Sequence, residues 1–374
     1  MDVDAPGGLL RWFGELDDPR PGHNVMHLLS DLLAIAILGV ICGAENWADI
    51  ALFGRCKKRW LRTFLRLPHG IPSHDTFGRV FAALRPEQFE QCFLKWTAHL
   101  AKHNSRLIAI DGKTLRRSFD SAAGKEAIHL VSAWCQENHL VLGQVATAAK
   151  SNEITAIPKL LKLLDLNGAV VSIDAMGCQK TIARAIVAGG GDYLLQVKQN
   201  QPELHESLKL LFAEGLTGDC QGVAYSTVRQ TEKNHGRLET RRCWSTSDLA
   251  GLADRQWQNL RSVACVECTR QINGTKSIER HYYISSLPDA KAREMLGLIR
   301  GHWEIENSLH WRLDVQFNED ASRIRQGHSA ENFSRLRRWA LNALNRDTTF
   351  KVGLKAKSKA CGWDHDYLLA VLTG

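Results

Sequence analysis

Apolar residues from Asn24 to Gly43 fall on nearly every side of a helical wheel, which predicts a helix buried all round. A shorter amphipathic segment, Trp47 to Leu61, carries Arg55, Lys57, Lys58 and Arg59 on its polar side. Gly70-Ile71-Pro72-Ser73 reads as a turn, with Ser73 or Asp75 placed to cap a helix over Thr76 to Leu84. Pro86 opens another helix, which continues through Trp96 and His99. The first hundred residues are therefore expected to be helical.

From Leu107 the period shortens to that of strands. Leu107 to Asp111, Ile128 to Cys135 and Leu140 to Thr147 read as three successive strands, the last two joined at Glu137-Asn138. A helix over Ile154 to Leu164 follows, with Ser151 or Asn152 as its cap. Then come a strand over Ala169 to Asp174, a helix over Gln179 to Ala188, and a strand over Asp192 to Val197. This β-β-β-α-β-α-β order predicts an α/β fold with a ribonuclease-H-like mixed sheet. Four further segments, Val223 to Gln230, Leu238 to Ser245, Ser262 to Thr269 and Ile278 to Ile284, predict antiparallel strands in a β-rich insertion. A helix or helix pair from near Asp289 past His310, and another over Ala330 to Asn345, complete the core. Lys351 to Lys359 reads as a basic loop before a short helix around Tyr367. The expected domains are an N-terminal helical, DNA-end-binding candidate over 1–103, a catalytic core over 104–348 with its insertion at 218–288, and a tail over 349–374.

Composition changes this picture little. Hydrophobic and charged contents of 44% and 24% are ordinary for a globular chain, and the net charge of +8 favours a polyanionic partner. The most apolar stretch, Leu32 to Ala44, is shorter than the roughly 20 residues a bilayer helix needs. Together with an acidic N-terminus, Met1-Asp2-Val3-Asp4, it predicts a cytoplasmic protein without a membrane partner. The ten cysteines are scattered through apolar runs and read as reduced, buried thiols.

Three carboxylates stand out by their context. Asp111 ends one apolar strand, Asp174 ends another, and Glu306 lies in a helical stretch, His302-Trp303-Glu304-Ile305-Glu306-Asn307. Two acids at strand ends and one on a helix suit a site for two divalent cations acting on a phosphodiester. Each acid also has a plainer reading. Asp111-Gly112 is a common turn, Asp174 suits a helix cap, and Glu306 has other acids nearby. On a helix, Glu306 shares a face with His302 and Leu313, whereas Glu304 points away.

The segments around these acids resemble insertion-sequence transposases with an Asp-Asp-Glu site, in the branch that includes the H-repeat-associated proteins. The resemblance rests on Gly70 to Phe77, Ile110-Asp111-Gly112-Lys113-Thr114, Lys150-Ser151-Asn152-Glu153-Ile154 and Ile173-Asp174-Ala175-Met176-Gly177-Cys178-Gln179. It continues through Val197-Lys198-Gln199-Asn200-Gln201, His235-Gly236-Arg237-Leu238-Glu239 and His302 to Val315. The family implies Asp111, Asp174 and Glu306 as catalytic metal ligands and two Mg²⁺ (or Mn²⁺) ions. It also implies double-stranded DNA as substrate, a homodimer in a synaptic complex, and a place at the prokaryotic nucleoid. One departure stands out: where related transposases carry Tyr, Arg and Lys around the third acid, this chain has Ile299, His302 and Leu313.

Phosphate contacts are expected from Lys113, Arg116 and Arg117 just after the first acid, and from Lys198 past a strand end. Arg237, Arg241 and Arg242 in the insertion are further candidates, with His302 as a phosphate donor; each cluster equally suits a solvated face. His74 and His235 read as structural or phosphate-adjacent. Two rival readings stay open: a nuclease that cuts without joining, and a DNA-binding remnant without catalysis.

Overall fold

The structure is a computed structural model that describes residues 10–22, 25–100, 106–121, 124–147, 153–217, 224–234, 237–252, 256–272, 275–289 and 291–373. In chain order a short 3-10 turn (Arg11–Phe13) precedes helices α1 (Leu29–Ile41), α2 (Trp47–Cys56), α3 (Lys58–Leu61), α4 (His74–Ala83) and α5 (Pro86–Leu100). Strands β1 (Leu107–Thr114), β2 (His129–Cys135) and β3 (Leu140–Ala146) follow, then α6 (Glu153–Leu161), β4 (Val170–Ile173), α7 (Lys180–Ala188) and β5 (Asp192–Val197). Helix α8 (Pro202–Thr217) leads to β6 (Ser226–Asn234), β7 (Arg237–Thr246), β8 (Ser262–Ile272) and β9 (Thr275–Ser285). The chain ends with α9 (Ala292–His302), a π-helical turn (Glu306–His310), α10 (Trp311–Phe317), α11 (Ser329–Arg346), α12 (Leu354–Trp363) and α13 (His365–Thr373).

Two compact units divide these elements. The first comprises residues 1–103, 112–151 and 306–374; the second comprises 104–111 and 152–305. Strand β1 crosses the division between Asp111 and Gly112.

Within the first unit, α11 is the central element. Its residues from Asn332 to Leu344 are all buried, which is unusual for a helix carrying Arg335, Arg337 and Arg338. Burying three guanidiniums is costly unless each finds an anion. Arg335 bonds Glu90 of α5 and Glu331, and Arg338 bonds Glu319 at 3.2 Å and Ser334. The all-round apolar α1 has every residue from Leu32 to Ile41 buried, as its pattern predicts, but begins at Leu29 rather than Asn24. Asn24 itself lies outside the described residues. Ser73 caps α4, its hydroxyl accepting from the Thr76 amide at 3.2 Å. β2 and β3 form the expected antiparallel hairpin, closed by a left-handed His139 with φ of 51°.

The tail differs from expectation. Leu354 to Trp363 is helical because Lys357 turns inward, its ammonium donating to the carbonyls of Leu344 and Asp347, while Cys361 is buried beside it. A Lys-rich stretch that buries one of its lysines is not the solvated loop its composition implies.

The second unit is built on one sheet. Leu107–Ile110 of β1 pair in parallel with β4, β4 pairs in parallel with β5, and β5 is antiparallel to β9. Beyond β9 the order continues through β8 and β7 to β6, all antiparallel. In strand order the first unit reads β3-β2-β1 and the second β1-β4-β5-β9-β8-β7-β6, a ribonuclease-H-like mixed sheet. The four strands of the insertion thus extend the core sheet through the β5–β9 pairing. Helix α9 covers one face, where Met295, Leu296 and Ile299 pack against Leu107, Val170, Leu194, Cys243 and Tyr283. Helix α8, absent from the sequence reading, packs Phe212 against Tyr225 and Tyr282 on the other. Its pattern was legible: Pro202 at the start, then Leu204, Leu208, Leu211 and Phe212 at helical spacing. The proposed cap of α6, Ser151 or Asn152, lies outside the described residues.

Among the described residues, no helix is long and apolar enough to cross a membrane. The described cysteines are free, and in Cys265-Val266-Glu267-Cys268 the two thiols lie three apart on a strand, on opposite faces.

Candidate active site

The ladder between β1 and β4 fixes the first two acids. Ile110 is the partner of Ile173, the last paired position, and it is followed directly by Asp111, still within β1, and by Asp174, the first residue after β4. Such strands lie about 4.8 Å apart, and the Asp111 charge is close enough to act on the Asp174 carboxyl. Asp174 also performs the plainer role its context allows. Its Oδ1 accepts from the amides of Met176 at 3.0 Å and Gly177 at 3.4 Å, capping the short turn Ala175–Gly177.

The local electrostatics are those of crowded acids. Burial, then the charges of Glu153 and Asp111, push the Asp174 carboxyl above the usual carboxylate range, and the two capping amides only partly offset this. Glu153, in the first turn of α6, is a further acid near Asp174 that sequence alone leaves without a role. Its signal in the chain is an acid directly after Lys150-Ser151-Asn152, inside one of the family-like segments.

His302 ends α9 and reaches the same strand pair from one face of the sheet. Its Nδ1 is 2.9 Å from the hydroxyl of Ser172, the residue two before Asp174. Burial lowers its basicity despite the Asp111 charge, so the ring is neutral near pH 7.

Beside Asp174 a cleft of about 770 Å³ opens, lined by Gln196, Lys198, Asn200, His205, Arg280 and His281 among others. The loop after β5 is tied to the loop after β4: Asn200 donates to the Ala175 carbonyl at 2.6 Å and Gln201 to that of Cys178 at 2.9 Å. These two amides explain why the segment Lys198-Gln199-Asn200-Gln201 sits where it does. Lys198 is exposed at the rim.

The remaining candidates on the second unit lie on β7. Arg241 is bound to Glu232 at 3.1 Å and Glu239 at 2.8 Å, whereas Arg242 is exposed, its guanidinium 5.4 Å from the Trp244 ring centre. Arg237 opens the strand. His235 lies outside the described residues.

On the first unit, Lys113 is held by Asp314 at 2.6 Å and by Asp320 at 3.2 Å, and Arg116 reaches Asp320 at 3.2 Å while remaining largely exposed. Arg117 is exposed, its carbonyl accepting from Arg325 at 3.0 Å. Glu306 is exposed at the head of the π-helical turn, four residues before the buried His310. Single-turn π-helices interrupt the ordinary hydrogen-bond ladder, and they recur at functional sites. His74 is exposed beside Asp75 at 3.4 Å.

The family model described as "Transposase DDE domain" matches residues 102–343, and the model described as "DDE_Tnp_1-associated" matches residues 10–97. The H repeat-associated putative transposase YhhI of Escherichia coli (strain K12) is 40% identical over 374 residues, covering 98% of each chain. The putative transposase YncI of Escherichia coli O157:H7 is 43% identical over 370 residues, 97% of this chain and 94% of that one. Among solved structures, a piggyBac transposase synaptic complex with hairpin DNA is similar at a TM-score of 0.44 and 10% identity, over 99% of this chain and 78% of that one.

Proposed function

The chain belongs to the DDE-domain transposases, and from that membership we propose that it cuts DNA at the ends of a mobile element and joins the freed ends to target DNA. The observation that carries this reading is the Asp111–Asp174 pair, two carboxylates that directly follow the last paired residues of the parallel β1–β4 ladder and interact electrostatically.

We assign Asp111, Asp174 and Glu306 as the metal ligands. The donor set fits hard divalent cations of the Mg²⁺ or Mn²⁺ kind, being made of carboxylate oxygens with mutual repulsion to relieve. When bound, a pair of such cations supplies activation of the attacking oxygen and stabilisation of the leaving one. Chain connectivity supports Glu306 as the third ligand. His302 is within electrostatic reach of Asp111, and Glu306 follows it by four residues, about one helical turn.

In the first reaction a water oxygen attacks phosphorus, the bond from phosphorus to the 3′-oxygen breaks, and a 3′-hydroxyl and a 5′-phosphate result. In the second, that 3′-hydroxyl attacks a target phosphorus and displaces another 3′-oxygen, so the number of phosphodiesters is conserved. The chain's own groups orient these steps. The Met176 and Gly177 amides fix one oxygen of Asp174. His302, neutral and bonded to Ser172, packs behind the strand pair without adding charge. Lys198 at the cleft rim is suited to hold a phosphate. Both element ends must meet for joining, so the working assembly is a homodimer on double-stranded DNA.

The test is a strand-transfer assay on duplexes with pre-cleaved ends from the protein's own locus. Joined products support the proposal. Nicking of intact ends without joining would favour a nuclease, and DNA binding with neither activity would favour a remnant.

A further inference from the structure

The four antiparallel strands of the second unit have two faces of opposite electrostatic character. Strand register sorts the side chains. On the α9 side, Glu232 and Glu239 stand opposite each other, and Arg241, Arg270 and Arg300 neutralise them at 2.7–3.3 Å. These three arginines are therefore paired within the face.

The other face is unlike it. Beyond the row Tyr282, Cys265 and Trp244, toward the strand ends away from the buried core, the next row is Arg280, Glu267, Arg242 and Arg229. The row after it is Ile278, Thr269, Thr240 and Thr231, and the last is Lys276, Gln271, Leu238 and Lys233. Arg229, Arg242, Lys233 and Lys276 are exposed, and among the described residues no carboxylate pairs with them. Among the described residues of this face, Arg280 alone is neutralised, by Glu267 at 2.9 Å. Arg229 is the direct cross-strand partner of Arg242. Like charges placed opposite each other destabilise a sheet, so this pair costs stability that an approaching polyanion would recover. Arg280 also lines the cleft that holds Asp174, so the basic face begins at the candidate site.

We propose that this face, through Arg229, Arg242, Lys233 and Lys276, is the track that carries the phosphate backbone of duplex DNA away from the cleft at Asp174. The proposal rests on the transposase reading and adds to it which side of the extended sheet meets DNA. With strands about 4.8 Å apart and same-face residues about 6.8 Å apart along each, Arg229 and Arg242 are close neighbours, and the row of Lys233 and Lys276 lies two such steps, about 14 Å, further along, which spreads the cations over several phosphates of one backbone. Threonine hydroxyls between the two basic rows are suited to the same backbone.

The test compares the triple variant R229Q/R242Q/K276Q with a charge-matched control, K162Q/R184Q/R261Q, which removes exposed cations from other parts of the same unit. Binding to a duplex bearing the element end is measured by fluorescence anisotropy in EDTA, so that catalysis plays no part. The triple variant is expected to bind at least tenfold more weakly than wild type at about 0.1 M salt, with a log–log salt slope shallower by roughly 2 to 3. The control should stay near wild type. The melting temperature of the triple variant should not fall, since a repulsive pair has been removed; a variant that melts early is replaced by the single substitution R242Q, with a slope change near 0.9 expected. Equal affinity and slope in triple variant and control would overturn the proposal while leaving the transposase reading intact. A wild-type protein that binds no duplex would overturn both.

Discussion

Ile110 and Ile173 are partners across the parallel β1–β4 ladder, and the residue after each is an aspartate. Those aspartates, Asp111 and Asp174, cannot both ionise without repulsion, and burial and Glu153 add to the cost at Asp174. A carboxyl whose folded pKa lies above its unfolded value favours folding most at low pH. That contribution is lost as pH rises through the shifted range, so near neutrality the penalty is complete. In EDTA at pH 7, D174N is therefore expected to melt above wild type, by about 2 °C for each kcal/mol relieved in a chain of this size. Asparagine keeps the oxygen that caps Met176 and Gly177, so the turn survives. Adding Mn²⁺ should raise the wild-type melting temperature and leave the variant nearly unmoved; a variant less stable than wild type in EDTA would refute this reading.

Glu319 is a second place where charge decides stability. It is fully buried, and although burial pushes its carboxyl upward, Arg338 and Arg337 with Ser334 hold it below the usual range. E319Q leaves two buried guanidiniums without their anion. Urea unfolding should show a loss of roughly 3 to 5 kcal/mol. A loss below about 1 kcal/mol would mean that water already reaches Arg337 and Arg338.

Asp347 sets an acid limit on the same unit. Burial would raise it, but bonds from Thr349, Tyr367 and Lys357 bring its pKa down to about 2. Its contribution to stability is therefore present above the ordinary carboxylate value and is lost as pH falls toward about 2. D347N should be clearly less stable than wild type at pH 7, and the gap should narrow as both are titrated from about pH 4 downward. A gap that stays constant across that window would show that the carboxylate's charge is not what binds α13 to the end of α11.

Much of this architecture could be read from residue spacing. Continuous apolar runs leading into Asp111 and Asp174 make both strands legible, because a strand with both faces buried carries no polar alternation. Ser73 was legible as a cap for the same local reason. Other features depended on tertiary partners that no local pattern reveals. The buried arginines of α11 needed Glu90 and Glu319, from distant parts of the chain. The inward Lys357 needed the carbonyls at the end of α11, without which its segment reads as a loop. The π-helical turn at Glu306 has no compositional mark at all. Arg241 and Arg242 are adjacent and chemically identical in sequence, and only strand register separates the ion-paired one from the free one.

The claim on which the account depends is that Glu306 acts with Asp111 and Asp174. It is tested most directly by following cleavage of a duplex carrying the element ends in Mn²⁺, with wild type, D111N, D174N, E306Q and E304Q assayed side by side. Loss of cleavage in the first three variants, with E304Q close to wild type and all five binding the duplex equally in EDTA, is the expected result. Cleavage by E306Q at the wild-type rate would contradict it.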